Sequence, residues 1–193
     1  FKLFAIPVVA MVITVSVLRH FGSAIQGSFY TVYLEDIGIS GTVIGLLVSI
    51  SGVVGSMGAL LVALVMRLVA SHWLLIMVVA VSLTCITITP LLETFVPLAI
   101  AGGLRGGAMA MGMVVIVSML AAAVAPVQQG QVMGLRTTVN HLVAFVVPVI
   151  MGALVELVGL AASFYLVGGA ALVVLALAAL RMARTPPLIG GAE

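Results

Sequence analysis

The chain has 193 residues, 64% of them hydrophobic and 6% charged, with a mean hydropathy of +1.46; a soluble domain is about one-quarter charged, so this composition belongs in a membrane. Seven Lys and Arg against five Asp and Glu give a formal charge of +2, too sparse for a nucleic-acid-binding face. A single cysteine, Cys85, excludes an internal disulfide and a zinc cluster.

About 20 apolar residues span a bilayer, so six helices of about 20 to 28 residues use nearly the whole length. The apolar runs are too long for the roughly 10-residue alternating strands of a membrane barrel, and the expected fold is all-α. The predicted spans are 4–33, 40–66, 72–91, 95–123, 131–158 and 160–182, forming one six-helix transmembrane domain over 1–185 with a tail at 186–193. Phe1 rather than Met opens the chain and no short cleavable apolar segment precedes the first span, so the sequence is expected to be part of a longer or processed product.

The first span follows Lys2 and carries Ser16, Arg19, Ser23, Gln26 and Tyr30 at spacings of three or four, which predicts one polar stripe. Gly22 and Gly27 on the same span permit a bend or a close helix approach. Glu35 and Asp36 end it, and Gly38-Ile-Ser-Gly41 supplies the turn into the second span, which ends at Arg67. The third opens on His72 and Trp73, an aromatic anchor position, and ends before Glu93. Thr94 with Pro97 marks the next turn. In the fourth span Gly102, Gly103, Gly106, Gly107 and Gly112 surround Arg105, a composition suited to tight helix packing. Pro126 is expected to end that span, Arg136 to sit at the start of the fifth with Asn140 and His141 near the same end, and Gly159 to separate the fifth span from the sixth. Eleven methionines scattered through the spans read as pliable core or cavity lining.

Charge sorts by side. Lys2, Arg67, Arg136, Arg181 and Arg184 fall on one side and Glu35, Asp36, Glu93 and Glu156 on the other, which predicts six crossings with both termini in the cytoplasm of a bacterial inner membrane. Arg19 and Arg105 do not fit the sorting. Arg19 lies about 22 Å along the first span, and Arg105 about 12 Å in from Pro97, or roughly 18 Å from the cytoplasmic face of a 30 Å core, so both are expected near the midplane. A charge at that depth costs about 2.5–3.5 kcal/mol and faces a cavity or a partner. No carboxylate is expected there. The counter-ion is a negatively charged substrate held by forked donors, a carboxylate on a partner domain, or carbonyls and waters in a polar cavity. His20 and His141 are candidate proton carriers, with hydrogen bonding in helix packing as the alternative role.

Six helices, short loops, cytoplasmic termini and the segment Leu34-Glu-Asp-Ile-Gly-Ile-Ser-Gly-Thr-Val-Ile-Gly45 before the second span resemble one half of a major facilitator superfamily (MFS) transporter, over nearly all of the chain. The superfamily signature Gly-x-x-x-Asp-Arg-x-Gly-Arg falls on Val62, Met66, Arg67, Val69 and Ala70, of which only Arg67 matches, and this is the pattern of a carboxyl-terminal half. Gly130-Gln-Val-Met-Gly134-Leu-Arg-Thr-Thr, followed by Pro148-Val-Ile-Met-Gly152, is similar to the superfamily's entry into its fifth helix and to its Pro-x-x-Gly-Gly element, with Met151 in place of one Gly. Gly159 with Phe164 adds a weaker match. The resemblance implies two three-helix repeats, a second six-helix half in the same gene product or on a separate chain, and alternating access around a midplane site. It puts Arg19 and Arg105 on the two helices that line the cavity, with Ser23, Gln26 and Asn140 supplying neutral hydrogen bonds to a small anionic or polar solute. The implied partners are the lipid bilayer, that solute and the second half; no nucleic acid, cofactor or metal is expected. The alternative function is a non-transporting membrane anchor or assembly subunit of a larger complex. A membrane enzyme is a third class, and with no His-Glu-x-x-His metal site the chain is read as not an enzyme.

Overall fold

The computed structural model describes residues 7–184, with side chains for 9–183. The first helical stretch runs unbroken as α1 (Pro7–Ile25), a π-helical turn (Gln26–Tyr30) and α2 (Thr31–Asp36). It is followed by α3 (Gly41–Val65), α4 (Ser71–Thr87) with a 3-10 turn at Thr89–Leu91, α5 (Phe95–Ala123), α6 (Pro126–Val158) and α7 (Leu160–Arg184). The described residues contain no strand. Five stretches are long and apolar enough to cross a membrane: Val9–Asp36, Gly41–Val65, Phe95–Ala123, Pro126–Val158 and Leu160–Ala183. The sixth apolar helix, α4, has 17 residues, about 26 Å, and falls just short of a 30 Å hydrocarbon core.

Two connections depend on glycine. Gly38 (φ 83°) follows α2: its N–H donates to the Glu35 carbonyl and that of Ile39 to the Leu34 carbonyl, the paired bonds that close a helix through a left-handed residue. Gly159 (φ 86°) joins α6 to α7, its N–H donating to the Val155 carbonyl while the Ser163 hydroxyl donates to the Gly159 carbonyl.

The structure corrects three boundaries. The first stretch extends past 33 to Asp36, because the π-helical turn accommodates an extra residue without breaking the helix. The third span is α-helical only to Thr87 and tightens into the 3-10 turn where Pro90 removes a donor N–H. Pro126 does not end the fourth span, which stops at Ala123; it opens α6 at the first helical position, where a missing N–H costs nothing, after an extended Ala125. The fifth span therefore begins five residues earlier than the predicted 131. The start of the first span at residue 4 and the tail at 186–193 lie outside the described residues.

Helix α5 packs most extensively on α3 and then on α4; α1 packs on α6, and α4 on α7. α4 is the most enclosed helix, with Leu74, Leu75, Val79, Leu83 and Ile86 essentially inaccessible. Two apolar cores result. One, at the end of the bundle holding Arg67 and Arg181, gathers residues such as Val12, Leu75, Val115, Ile116 and Leu120; the other, at the end holding Glu35, Asp36, Glu93 and Glu156, gathers Ile25, Leu34, Leu47, Leu98, Met151 and Phe164. Between the two cores the buried side chains turn small or polar: Ser51 and Gly55 on α3, Gly103 and Arg105 on α5, Arg136 and Asn140 on α6.

Candidate functional site

A cleft of about 540 Å³ opens in this small-and-polar layer, where α1, α3 and α5 meet. α1 contributes Arg19 and Ser23 and the π-helical turn contributes Gln26, which recur at helical spacing and share one face. α3 contributes Ser51, Gly52, Gly55 and Ser56, and α5 contributes Gly106, Met109 and Ala110. Val48 and Ala59 complete the lining, so small residues predominate on the α3 and α5 sides. Ser56 spends its hydroxyl on the Gly52 carbonyl of its own helix at 3.1 Å, which leaves Arg19 as the charged group of the cleft.

Arg19 is partly buried, and its Nε donates to the Met109 carbonyl at 3.1 Å. The bond is possible because α5 has no side chain at Gly112: a Cβ there would stand 3.3 Å from Arg19 Cδ and 3.5 Å from Nε. A carbonyl partner leaves the guanidinium charge uncompensated.

Arg105 does not reach this cleft. It is 3% exposed, and its guanidinium lies 5.4 Å from the centre of the Tyr30 ring, a cation–π contact. Its buried Nη1 has no hydrogen-bond partner among the described residues. Arg19 is attached one turn further along α5, at Met109, so the single layer expected for the two arginines separates into two. The polar stripe divides at both ends, and for Tyr30 the π-helical turn supplies the reason. Tyr30 is buried in the core and Ser16 faces α6, while Arg19, Ser23 and Gln26 line the cleft. One residue of α-helical rotation is about 100°, and the π-helical turn from Gln26 to Tyr30 sets the later residues back by about that much.

Arg136 departs furthest from expectation. It is 7% exposed rather than at the membrane edge, its Nε donates to Ser16 Oγ at 3.1 Å and its Nη2 to the Met113 sulfur at 2.8 Å. With α6 starting at Pro126, Arg136 stands ten residues, about 15 Å, inside the helix. The signal for this was Pro126 itself, a helix-opening residue when an extended residue precedes it. Asn140, four residues on, shares the buried face of α6 with Val132, Arg136, Val147 and Met151, and its Oδ1 has no hydrogen-bond partner among the described residues. Asn140 does not line the cleft with Arg19, Ser23 and Gln26. His20 is partly buried and lies within electrostatic reach of Arg19, Arg136 and His141; His141 is exposed.

All four described carboxylates, Glu35, Asp36, Glu93 and Glu156, are exposed at one end of the bundle, away from the three arginines. No group of three His, Cys, Asp or Glu among the described residues could hold a metal ion. Gly38-Ile39-Ser40-Gly41 has the Gly-x-Ser-Gly spelling of an intramembrane serine protease, but Ser40 is exposed in the turn that opens α3, at a helix end rather than inside a span. Trp73 is exposed at the start of α4, with its ring 5.7 Å from that of His72.

The model of the Major Facilitator Superfamily matches residues 12–193 of the chain. No curated protein matches it.

Proposed function

Because the chain belongs to the Major Facilitator Superfamily, a family of membrane transporters, we propose that it is the carboxyl-terminal six-helix half of a secondary transporter that carries a small anionic or polar solute by alternating access. The observation that carries this reading is Arg19: a partly buried guanidinium, without a carboxylate, opening on a 540 Å³ cleft in the middle layer of an apolar bundle. Intramembrane charges mark solute pathways, and forked donors suit carboxylate or phosphate oxygens. Ser23 and Gln26 supply neutral hydrogen bonds from the same face. Arg105 takes part only when Tyr30 leaves its guanidinium, which ties its role to the movement of the outer end of the first helix.

The pattern of helix contacts supports two three-helix repeats. In such a pair, the first span of one repeat packs on the second span of the other, and here α5 lies on α3 as α1 lies on α6, while the two third spans, α4 and α7, pack on each other. In this reading α4 makes the sixth crossing with help from the 3-10 turn after it, which adds about 6 Å to its 26 Å. Both termini are cytoplasmic, the membrane is a bacterial inner membrane, and a second six-helix half closes the cleft. We assign any proton coupling to His20, partly buried beside Arg19, ahead of the exposed His141.

Uptake into proteoliposomes holding the complete gene product tests the reading. Inorganic phosphate or a small carboxylate is expected to accumulate, and Arg19→Gln, folded normally, is expected to lower uptake about tenfold or more through loss of a charge-assisted hydrogen bond. Unchanged uptake in Arg19→Gln overturns the site. No flux of any tested anion, with stable co-purification of another complex, favours the membrane-anchor function instead.

A further inference from the structure

We infer that Arg136 and Arg19 form one anion site that extends the α1–α3–α5 cleft toward α6, and that its ligand is an oxyanion carrying its own hydrogen-bond donor, as hydrogenphosphate and hydroxycarboxylates do. The inference rests on the reading above, that Arg19 meets the solute; it adds a second arginine that charge sorting assigns to the membrane edge, and it narrows the ligand.

The two guanidinium-bearing side chains converge on adjacent residues of α5. Arg19 crosses from α1 over the bare backbone of Gly112, and Arg136 crosses from α6 to the sulfur of Met113. Their partners are a carbonyl, a hydroxyl and a thioether, all neutral. Five N–H donors per guanidinium far exceed these three bonds, and no carboxylate stands among them. Two like charges in one apolar bundle with no counter-charge are costly unless an anion joins them. Arg105 is not the second member of the pair, since it is held under Tyr30.

The donor requirement comes from Asn140. It stands one turn beyond Arg136 on the same buried face of α6, is 8% exposed, and its Oδ1 is a buried acceptor with no donor among the described residues. A leftover acceptor beside two cations is not satisfied by a bare anion, which brings only further acceptors. An oxyanion with an O–H satisfies both, its charged oxygens facing the arginines and its proton facing Asn140. Ser16, on α1, already accepts from Arg136, and His20, one turn further along α1 and partly buried, carries one donor and one acceptor in its neutral form.

Titration calorimetry on the complete gene product in detergent, with matched pairs of anions, tests this. Phosphate against sulfate compares tetrahedral oxyanions with and without a proton near neutral pH, and 2-hydroxypropanoate against propanoate compares carboxylates with and without a hydroxyl. The expected result is about tenfold tighter binding of the donor-bearing member of at least one pair, and the pair that shows it identifies the ligand as phosphate-like or carboxylate-like. Arg136→Gln is expected to weaken that binding at least about tenfold, with Arg136→Lys intermediate, and Asn140→Leu to abolish the preference within the pair. Equal binding within both pairs overturns the donor requirement. Full affinity in Arg136→Gln, with affinity lost in Arg19→Gln, overturns the shared site and leaves the function proposed above standing. Full affinity in both arginine variants, or no binding of any of the four anions, removes that function as well.

Discussion

Helix α3 meets α5 through glycine, and α6 meets α1 through arginine. At the first seam a Cβ on Gly58 would stand 2.8 Å from the Gly107 carbonyl oxygen and 3.0 Å from its Cα, one on Gly55 would stand 3.3 Å from the Gly106 oxygen, and Gly106 lies directly against the Ser51 backbone. On α6, a Cβ on Gly130, Gly134 or Gly152 would meet nothing within 4 Å, and the contact with α1 includes Arg136 reaching Ser16. The first seam depends on backbone-to-backbone fit, and dispersion contacts fall away with a gap of half an ångström to one ångström. The second uses a long side chain whose hydrogen bonds can re-form after a small rotation. The two kinds of contact give one bundle a seam that holds and a seam that can adjust.

Substitutions can break this contrast, beginning with the most damaging. Gly106→Leu drives a branched side chain into the Ser51 backbone with no room to shift, and the overpacking cost of about 1–3 kcal/mol is expected to reach or pass its upper end. The folded yield from membranes should collapse and the thermal unfolding midpoint of any remainder should fall; a normal yield would mean that the α3–α5 seam yields after all. Arg136→Met is expected to change stability by no more than about 1 kcal/mol, with either sign, because an apolar chain of similar length replaces an uncompensated buried charge. Its unfolding midpoint should stay within a few degrees of wild type even though anion binding is lost. A fall as deep as that of Gly106→Leu would make the α6–α1 seam as rigid as its counterpart. Smallest of all, Gly134→Ala adds a methyl group in open space and removes a flexible residue from a helix, so stability should hold or rise by up to about 1 kcal/mol; a clear loss would reveal a close neighbour on that face.

Much of the architecture was legible because it follows from solvent. Twelve charges in 193 residues define the helical stretches between them, and the face carrying Arg19, Ser23 and Gln26 appears at simple helical spacing. What the sequence concealed was register. Tyr30 continues the stripe under an α-helical period and leaves it under a π-helical turn, an event no hydrophobic pattern announces. Arg136 counts as a border residue if Pro126 is a stop and as an interior residue if Pro126 is a start, a choice governed by whether the preceding residue is extended. The separation of Arg105 from Arg19 is likewise tertiary, since a ring from another helix caps one guanidinium and an opposite carbonyl holds the other.

The unequal helix lengths have a consequence for the lipid. α6, at 33 residues or about 50 Å, is longer than a 30 Å hydrocarbon layer, whereas α4, at 17 residues, matches that layer only together with the 3-10 turn after it. α4 is wrapped by α1, α5 and α7, so it faces protein more than lipid. α6 has much of its surface open, and its excess must be taken up by tilt or by protrusion from the layer. Hydrophobic mismatch therefore acts unevenly on this bundle: a thicker or thinner bilayer loads α6, the helix that carries Arg136, and leaves the enclosed α4 largely untouched.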